Sequence, residues 1–400
     1  MATAPRQYAT SPTHYIALIV TILVCLPGLY MGISDVESAS WLNVIIFGVA
    51  VFGAAFILCW AAEAAQIDIS ESLAVAILAL LAVLPEYAVD FVFTWKSAHD
   101  PEQAHYAIAN MTGANRLLVG LGWPVVLLLF IIARKRKAVI LDASQRVEIF
   151  YLAMATIYSF TIPLKGSLNL IDTLILVTLF VLYTRRAAQM EVEEPELVGP
   201  VRLVANMGTG WRRICTALMF AFAGAVIFFV AEPFAESLVK MGKEFGISEF
   251  LLVQWLAPIA SEAPEFIIAA TWALRGAAGS ALKALISSKV NQWTLLVGTI
   301  PLVYAISGGV VRPFVLDSLQ QHELFLTAAQ SLFAVAVLVN LRLGRAEGIL
   351  LLVLFAGQLI VEQIRLEVAV VYILLALVFH VRHWRCLIPA ARIGLGIKDR

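Results

Sequence analysis

The chain has 400 residues, of which 61% are hydrophobic and only 14% are charged. A soluble protein has about 45–50% apolar and about 25% charged residues, and the mean hydropathy of +0.88 excludes this chain from that class. The 28 basic and 28 acidic residues cancel to a net charge of +0, which argues against nucleic-acid partners. The four cysteines lack the spacing of a zinc site or a disulfide framework. The composition therefore predicts an all-α polytopic membrane protein.

About twelve stretches are long and apolar enough to be transmembrane helices, which need about 20 residues each. The predicted spans centre on residues 15–31, 41–62, 71–95, 105–133, 147–162, 168–184, 213–238, 249–274, 280–307, 323–341, 346–361 and 367–382. The first span can also be read as a cleaved signal peptide, because a basic residue precedes it and small residues follow it.

The basic residues are distributed unevenly between the two sides that these spans define. One side receives 20 Lys and Arg residues and the other side only six, with two more inside the predicted spans. By the positive-inside rule, the richer side is cytoplasmic, and both termini lie there. The expected location is the plasma (inner) membrane, with the lipid bilayer and small cations as partners and the oligomeric state left open.

The sequence contains two related segments. Pro-Glu and Thr-Trp pairs recur at similar spacing, as Pro85-Glu86 before Thr94-Trp95 and as Pro264-Glu265 before Thr271-Trp272. Each segment continues into a helix with a central asparagine, Asn115 or Asn291. Five spans in each half put the halves in opposite orientations, and such inverted repeats form binding sites near the bilayer midplane. We predict an N-terminal extra helix in 1–40, a first five-helix repeat in 41–184, a cytoplasmic linker in 185–212, a second five-helix repeat in 213–363, and a C-terminal extra helix with a cytoplasmic tail in 364–400.

Four carboxylates lie within the repeat helices, where a buried charge is costly and usually faces a cavity and a partner. They are Glu86, Asp90, Glu262 and Glu265, paired at helical spacings of four and three residues. Together they form an oxygen-rich site of the kind that suits Ca²⁺. We hypothesise that Glu86 and Glu265 are the central ligands. Neutral oxygens are available from Asn115, Asn291, Ser261 and Ser287.

Two prolines are expected to shape this site. Pro85 and Pro264 each lack an N–H group, so they interrupt their helices and free backbone carbonyls to line the site. The alternative role for the acids is structural, since Arg116 and Lys289 also lie within predicted spans and can pair with them. Arg116 is near enough to Asn115 on its helix to reach a neighbouring acid, whereas Lys289 is expected to pair elsewhere.

The repeated motifs resemble those of the cation/calcium exchanger superfamily, which includes the sodium/calcium exchangers. In that family each repeat has a Gly-Thr-Ser-x-Pro-Glu-like helix followed by a Gly-Ser-Asn-x-x-Asn/Asp helix. Here Ala82-Val-Leu-Pro-Glu86 and Ser261-Glu-Ala-Pro-Glu265 approximate the first motif. The resemblance implies a secondary antiporter with alternating access, and it implies Ca²⁺ as the transported cation, bound by Glu86 and Glu265 with Asn115 and Asn291 beside them.

The counter-ion is H⁺ or Na⁺, and departures from the family pattern bear on that choice. Ala82, Val83 and Met111 replace hydroxyl residues that help to bind sodium in the family, whereas Glu262 adds an acid. The losses and the added acid favour protons. Transport of a different cation, or a membrane scaffold with degenerate repeats, are the alternatives. The sequence has no protease or zinc-helix signature, so no enzyme and no cofactor is expected.

Overall fold

The computed structural model describes residues 8–36, 38–68, 84–190 and 197–397. Within these ranges the chain is almost entirely helical, as its composition predicts. The first half of the predicted span 71–95, including Ala82 and Val83, and residues 191–196 of the predicted linker lie outside the described residues.

The first part of the chain contains eight helices and two short strands within the described ranges. In chain order they are α1 (Pro12–Ser34), α2 (Ser40–Ala65), α3 (Leu84–Ser97), α4 (Glu102–Leu117), a first π-helical turn (Leu118–Gly122), α5 (Trp123–Arg134), β1 (Ala138–Ile140), a 3₁₀ turn (Ala143–Gln145), α6 (Arg146–Ser159), α7 (Thr161–Lys165), β2 (Ser167–Leu168) and α8 (Leu170–Ala187).

The second part repeats this order of a long helix, a helix with a π-helical turn, and further helices with short strands. Its elements are α9 (Val201–Ala205), α10 (Thr209–Phe245), α11 (Glu249–Arg275), α12 (Ala278–Asn291), a second π-helical turn (Gln292–Leu296), α13 (Val297–Gly308), β3 (Phe314–Val315), α14 (Ser318–Leu338), β4 (Arg342–Gly344), α15 (Arg345–Ile360), a 3₁₀ turn (Glu362–Ile364), α16 (Arg365–Arg382) and α17 (Trp384–Gly394).

Seven helical segments of the described chain are long and apolar enough to cross a bilayer. Many of their large apolar side chains are exposed on the outer surface of the bundle, where they meet lipid. The protein is therefore an integral multi-pass membrane protein, and the finer division into twelve spans remains a prediction. The seven segments are Pro12–Ser34, Ser40–Ala65, Glu102–Arg134, Ala143–Lys165, Thr209–Phe245, Glu249–Arg275 and Glu362–Arg382.

Helices α4 and α11 cross at very close range in the centre of the bundle. At the crossing, a Cβ atom added to Gly113 would lie 1.8 Å from the backbone oxygen of Gln254. Glycine permits this approach because it has no side chain, and close backbone contact is a common way to hold membrane helices together. Helix α3 packs against α4, and α12 packs against α11. The crossing therefore brings the two predicted motif segments face to face.

Two short antiparallel ribbons join the two parts of the chain. Strand β1 pairs with β4, and β2 pairs with β3. The register pairs Val139 with Leu343 in the first ribbon and Leu168 with Phe314 in the second. Each ribbon thus takes one strand from each predicted half, in reciprocal order.

Two features differ from the predicted architecture. Helix α11 continues without a break through Pro258 and Pro264, because each proline removes one hydrogen bond while the neighbouring i→i+4 bonds keep the helix continuous. Pro85 is the second described residue of α3, and because residues 69–83 lie outside the described ranges, the predicted interruption at Pro85 stays a prediction. The described part of the predicted solvated linker also has structure, since Leu197 and Val201 are buried and α9 packs against α2.

Candidate functional site

Glu86 and Asp90 lie one turn apart on α3 and are both buried. Their partner is Asn110 of α4, whose Nδ2 group donates to Glu86 Oε1 at 3.0 Å and to Asp90 Oδ1 at 2.7 Å. A single amide therefore donates to two buried carboxylates. The sequence prediction brought these acids together on one helix face but did not include Asn110.

The second pair of acids lies on α11. Ser261 Oγ donates to Glu86 Oε2 at 2.6 Å, which links α11 directly to α3. Glu262 is buried and accepts a hydrogen bond of 2.5 Å from Gln292 Nε2 of the second π-helical turn. Glu265 is half-buried and faces the Ser288 hydroxyl. Glu86 interacts electrostatically with Asp90, Glu262 and Glu265, so the four predicted acids form one cluster, which we call the carboxylate cluster.

The predicted neutral ligands are divided between this cluster and other contacts. Asn291 Oδ1 accepts a hydrogen bond from Tyr87 OH at 2.8 Å, next to Glu86 in the sequence. Asn115 is fully buried and accepts hydrogen bonds from Lys289 instead of facing open space. Ser287 pairs with Tyr183 OH at 2.6 Å, on the side of α12 that faces α8. Of the two predicted serines, only Ser261 contacts a carboxylate of the cluster.

Several oxygens in and around the carboxylate cluster have no hydrogen-bond donor. Asp90 Oδ2 and Glu262 Oε2 are buried without a partner among the described residues, and so are the amide oxygens Oδ1 of Asn110 and Oε1 of Gln292. A buried acceptor without a donor is unfavourable and calls for an explanation. A cation is one group that satisfies such oxygens. As the side chains stand, no three His, Cys, Asp or Glu residues in the described ranges converge closely enough to hold a metal ion.

The two buried basic residues do the opposite of what the helix geometry predicted. Lys289 enters the site, where its Nζ donates to Asn115 Oδ1 at 2.8 Å and to the Asn115 backbone oxygen at 3.1 Å. It also interacts electrostatically with Glu262. Arg116 points away from the four acids and pairs with Glu323 of α14. The prediction from helix angle failed because Lys289 reaches back across the α4–α12 contact through its long side chain.

Arg116 belongs to a second buried polar group, which we call the Arg–Glu–Arg network. Glu323 accepts from Arg116, from Arg365 Nη1 at 2.5 Å and from Gln254 Nε2 at 2.7 Å. Arg116 Nη1 also donates to Gln358 Oε1 at 2.8 Å. Arg365 is the first residue of α16 and is buried. The sequence feature that could have indicated this network is Glu323, an acid at the start of the predicted span 323–341.

Each asparagine that the repeat motif singled out lies next to a π-helical turn. The first turn begins three residues after Asn115, and the second begins directly after Asn291. π-Helical turns are rare and occur frequently at functional sites, because the extra residue leaves a backbone carbonyl without its usual partner. Helix propensity gave no signal for either turn, although each begins within five residues of its motif asparagine.

Known proteins share the sequence pattern and the architecture of this chain. The family profile described as sodium/calcium exchanger protein matches residues 39–187 and 216–362. The chain is similar to the protein of the crystal structure of the H⁺/Ca²⁺ exchanger CAX, with 41% identity, a TM-score of 0.93, and 96% of this chain and 98% of that chain covered. No curated protein matches the sequence at a significant level.

Two solved structures with lower sequence identity resemble this chain in fold alone. The structure of native YfkE has a TM-score of 0.61 at 15% identity and covers 90% of this chain and 99% of its own. The sodium-calcium exchanger NCX_Mj has a TM-score of 0.52 at 17% identity and covers 86% and 98%. The family profile covers most of the sequence, and the likeness to the CAX structure extends over nearly all of it. This chain belongs to the sodium/calcium exchanger protein family of the cation/calcium exchanger superfamily.

Proposed function

We propose that this protein is a secondary antiporter that exchanges Ca²⁺ for H⁺ across the membrane. The proposal draws on its family membership and on the 41% identity to a protein described as an H⁺/Ca²⁺ exchanger. It rests most directly on the carboxylate cluster, in which Glu86, Asp90, Glu262 and Glu265 interact electrostatically in the interior of a membrane protein.

The chemistry of the cluster suits Ca²⁺. This ion takes 6–8 oxygen ligands with flexible geometry. Asp90 Oδ2 and Glu262 Oε2 are buried oxygens without donors in the described structure. The amide donors of Asn110 and Gln292 occupy other oxygens of the same carboxylates. Loading of Ca²⁺ then requires these amides to turn away from the carboxylates, so that oxygens now hydrogen-bonded become ligands.

A proton is the counter-ion that fits the same groups. Four ionised carboxylates in the membrane interior are costly without a cation, so protons replace Ca²⁺ when it leaves. The hydroxyl ligands expected for sodium are scarce, because Met111 stands at one such position and Ser287 is engaged by Tyr183. Competition between Ca²⁺ and protons for the same oxygens couples their movements in opposite directions.

Alternating access and inverted repeats complete the proposal. Each predicted half contains a helix interrupted by a π-helical turn next to the site, and each half supplies one strand to each ribbon in reciprocal order. This reciprocal pairing of strands is what a two-fold axis relating the halves would produce. We place both termini in the cytoplasm and the protein in the plasma membrane, on the distribution of its basic residues.

Transport in proteoliposomes tests the proposal. Purified protein is reconstituted, and ⁴⁵Ca²⁺ uptake is measured with proton, sodium and potassium gradients in turn. We expect the proton gradient alone to drive uptake. Uptake driven by sodium would refute proton coupling, conduction without a gradient would indicate a channel, and no flux with any cation would indicate a scaffold.

The ligand assignment has its own test in the same assay. Glu86→Gln and Glu265→Gln each keep the size of the side chain and remove one charge from the cluster. We expect both variants to lose proton-driven uptake. Glu367→Gln is the matched control, because Glu367 is an exposed residue in the first turn of α16. Retained uptake in both cluster variants would refute the assignment.

A further inference from the structure

A buried lysine lies beside the carboxylate cluster, and neither the repeat motif nor the proposed exchange accounts for it. Lys289 of α12 is fully buried. Its Nζ is 2.8 Å from Asn115 Oδ1 and 3.1 Å from the Asn115 backbone oxygen. Both oxygens belong to a residue three positions before the first π-helical turn. One residue thus offers a backbone and a side-chain oxygen to the same positively charged atom.

The surroundings of Nζ match an ammonium ion. An ammonium group has three N–H donors and no acceptor. Two of them are directed at the Asn115 oxygens, and the Trp293 ring lies on another side, with its centroid 4.6 Å from Nζ. An aromatic face attracts a cation electrostatically. Glu262 supplies the opposite charge. Two acceptor oxygens, an aromatic face and a nearby acid thus surround Nζ.

The same oxygens are of the kind that bind a monovalent metal ion. Backbone and amide carbonyl oxygens replace the hydration shell of alkali cations in selective sites. The lysine ammonium fills this position permanently, since it is tethered to α12. A sodium ion would have to displace it and also lose the electrostatic contribution that Lys289 makes beside Glu262.

We propose that Lys289 is a specificity-determining residue: its ammonium occupies a monovalent-cation position on Asn115 and thereby excludes Na⁺ from the exchange cycle. The inference deepens the proposed function and rests on it. It assigns Asn115 to the lysine and leaves the four carboxylates to Ca²⁺ and protons.

Lys289→Met tests the proposal, because methionine keeps an unbranched side chain of similar length and removes the charge. Proton-driven ⁴⁵Ca²⁺ uptake is measured in proteoliposomes with external sodium chloride or choline chloride. We expect sodium to leave the wild type unchanged and to raise the KM for Ca²⁺ of Lys289→Met about tenfold. Lys283→Met is the matched control, since it makes the same substitution six residues earlier on the same helix. Lys289→Arg keeps the charge and should remain insensitive to sodium.

A binding measurement keeps this inference separate from the proposed function. Sodium is added to detergent-solubilised protein, and the melting temperature is recorded for the wild type, Lys289→Met and Lys289→Gln. A sodium-dependent rise in the two variants alone supports the inference even when no variant transports Ca²⁺. Equal sodium responses in all three proteins, or none in either variant, would overturn it. Absence of proton-driven uptake in the wild type would overturn only the proposed exchange. Lys289→Gln provides the result if Lys289→Met does not fold.

Discussion

Glu323→Gln is the perturbation whose effect can be worked out most fully from the structure. Glu323 is completely buried and accepts hydrogen bonds from Arg116, Arg365 and Gln254. Glutamine has nearly the same shape, but it carries no charge and replaces one acceptor oxygen with an NH₂ donor. That NH₂ group then faces donors of the Arg–Glu–Arg network. The two guanidinium groups of Arg116 and Arg365 then lose the buried counter-charge that they share.

The expected cost is large for a single isosteric change. Removing one partner of a buried ion pair destabilises a protein by about 3–5 kcal/mol, because the remaining charge stays buried. With about 2.1 cal/mol/K of unfolding entropy per residue over 400 residues, this cost lowers the melting temperature by about 4–6 °C. The network connects four helices, α4, α11, α14 and α16, so the substitution weakens contacts among all four.

Thermal unfolding in detergent, followed by the fluorescence of the purified protein, measures the change. Glu362→Gln is the control, because Glu362 also approaches Arg365, at 3.9 Å, but its side chain is 47% exposed. Exposed ion pairs contribute about 0–1 kcal/mol, so this variant should melt close to the wild type. Equal melting temperatures for Glu323→Gln and Glu362→Gln would refute the reasoning that the network is held by its buried charge.

Three further predictions concern other parts of the bundle. Gly113→Ala places a Cβ 1.8 Å from a backbone oxygen of α11 and should lower the melting temperature and abolish transport, whereas Gly224→Ala, with nothing within 4 Å, should do neither. Arg212 holds the pKa of Asp68 below its ordinary value through hydrogen bonds. The stabilisation that ionised Asp68 gives through Arg212 is therefore present above about pH 3.9 and is lost at lower pH. The difference in melting temperature between wild type and Asp68→Asn should shrink on acidification. Asn110→Ala removes the amide donor that competes with Ca²⁺ for two carboxylates and should lower the KM for Ca²⁺ about tenfold in ⁴⁵Ca²⁺ uptake; an unchanged or raised KM would contradict the idea that this amide must turn away before Ca²⁺ binds.

The acids of the site could be found from the sequence because a charged residue in an apolar span is conspicuous. Glu86, Asp90, Glu262 and Glu265 stand out on this ground alone, and their helical spacing indicates a shared face. The family resemblance, confirmed by the comparisons, rests in part on two of them, Glu86 and Glu265. Whether they ligate Ca²⁺ remains a prediction.

Their partners could not be predicted in the same way. Asn110 and Gln292 are ordinary amides within spans, and only the rotation of their helices decides which acid they contact. Arg116 and Glu323 are separated by 207 residues, and no periodicity relates such distant positions. Lys289 was assigned to the wrong face because a flexible four-carbon side chain reaches well beyond the direction of its Cβ. Helix contacts, rather than local pattern, determine these pairings.

The length of α10 has a consequence for how the bundle moves. Its 37 residues extend over about 55 Å, which exceeds the roughly 30 Å of the hydrocarbon layer. Near its start, Arg212 pairs with Asp68 just beyond α2 at 2.7 Å, and about two-thirds of the way along α10 Glu232 pairs with Lys96 at the end of α3, also at 2.7 Å. Ion pairs therefore connect α10 to one residue on each side of Glu86 in the sequence, Asp68 and Lys96. Under the proposed exchange, a tilt of α10 is expected to move α3 through Lys96 and so to displace Glu86 and Asp90 relative to Glu262 and Glu265.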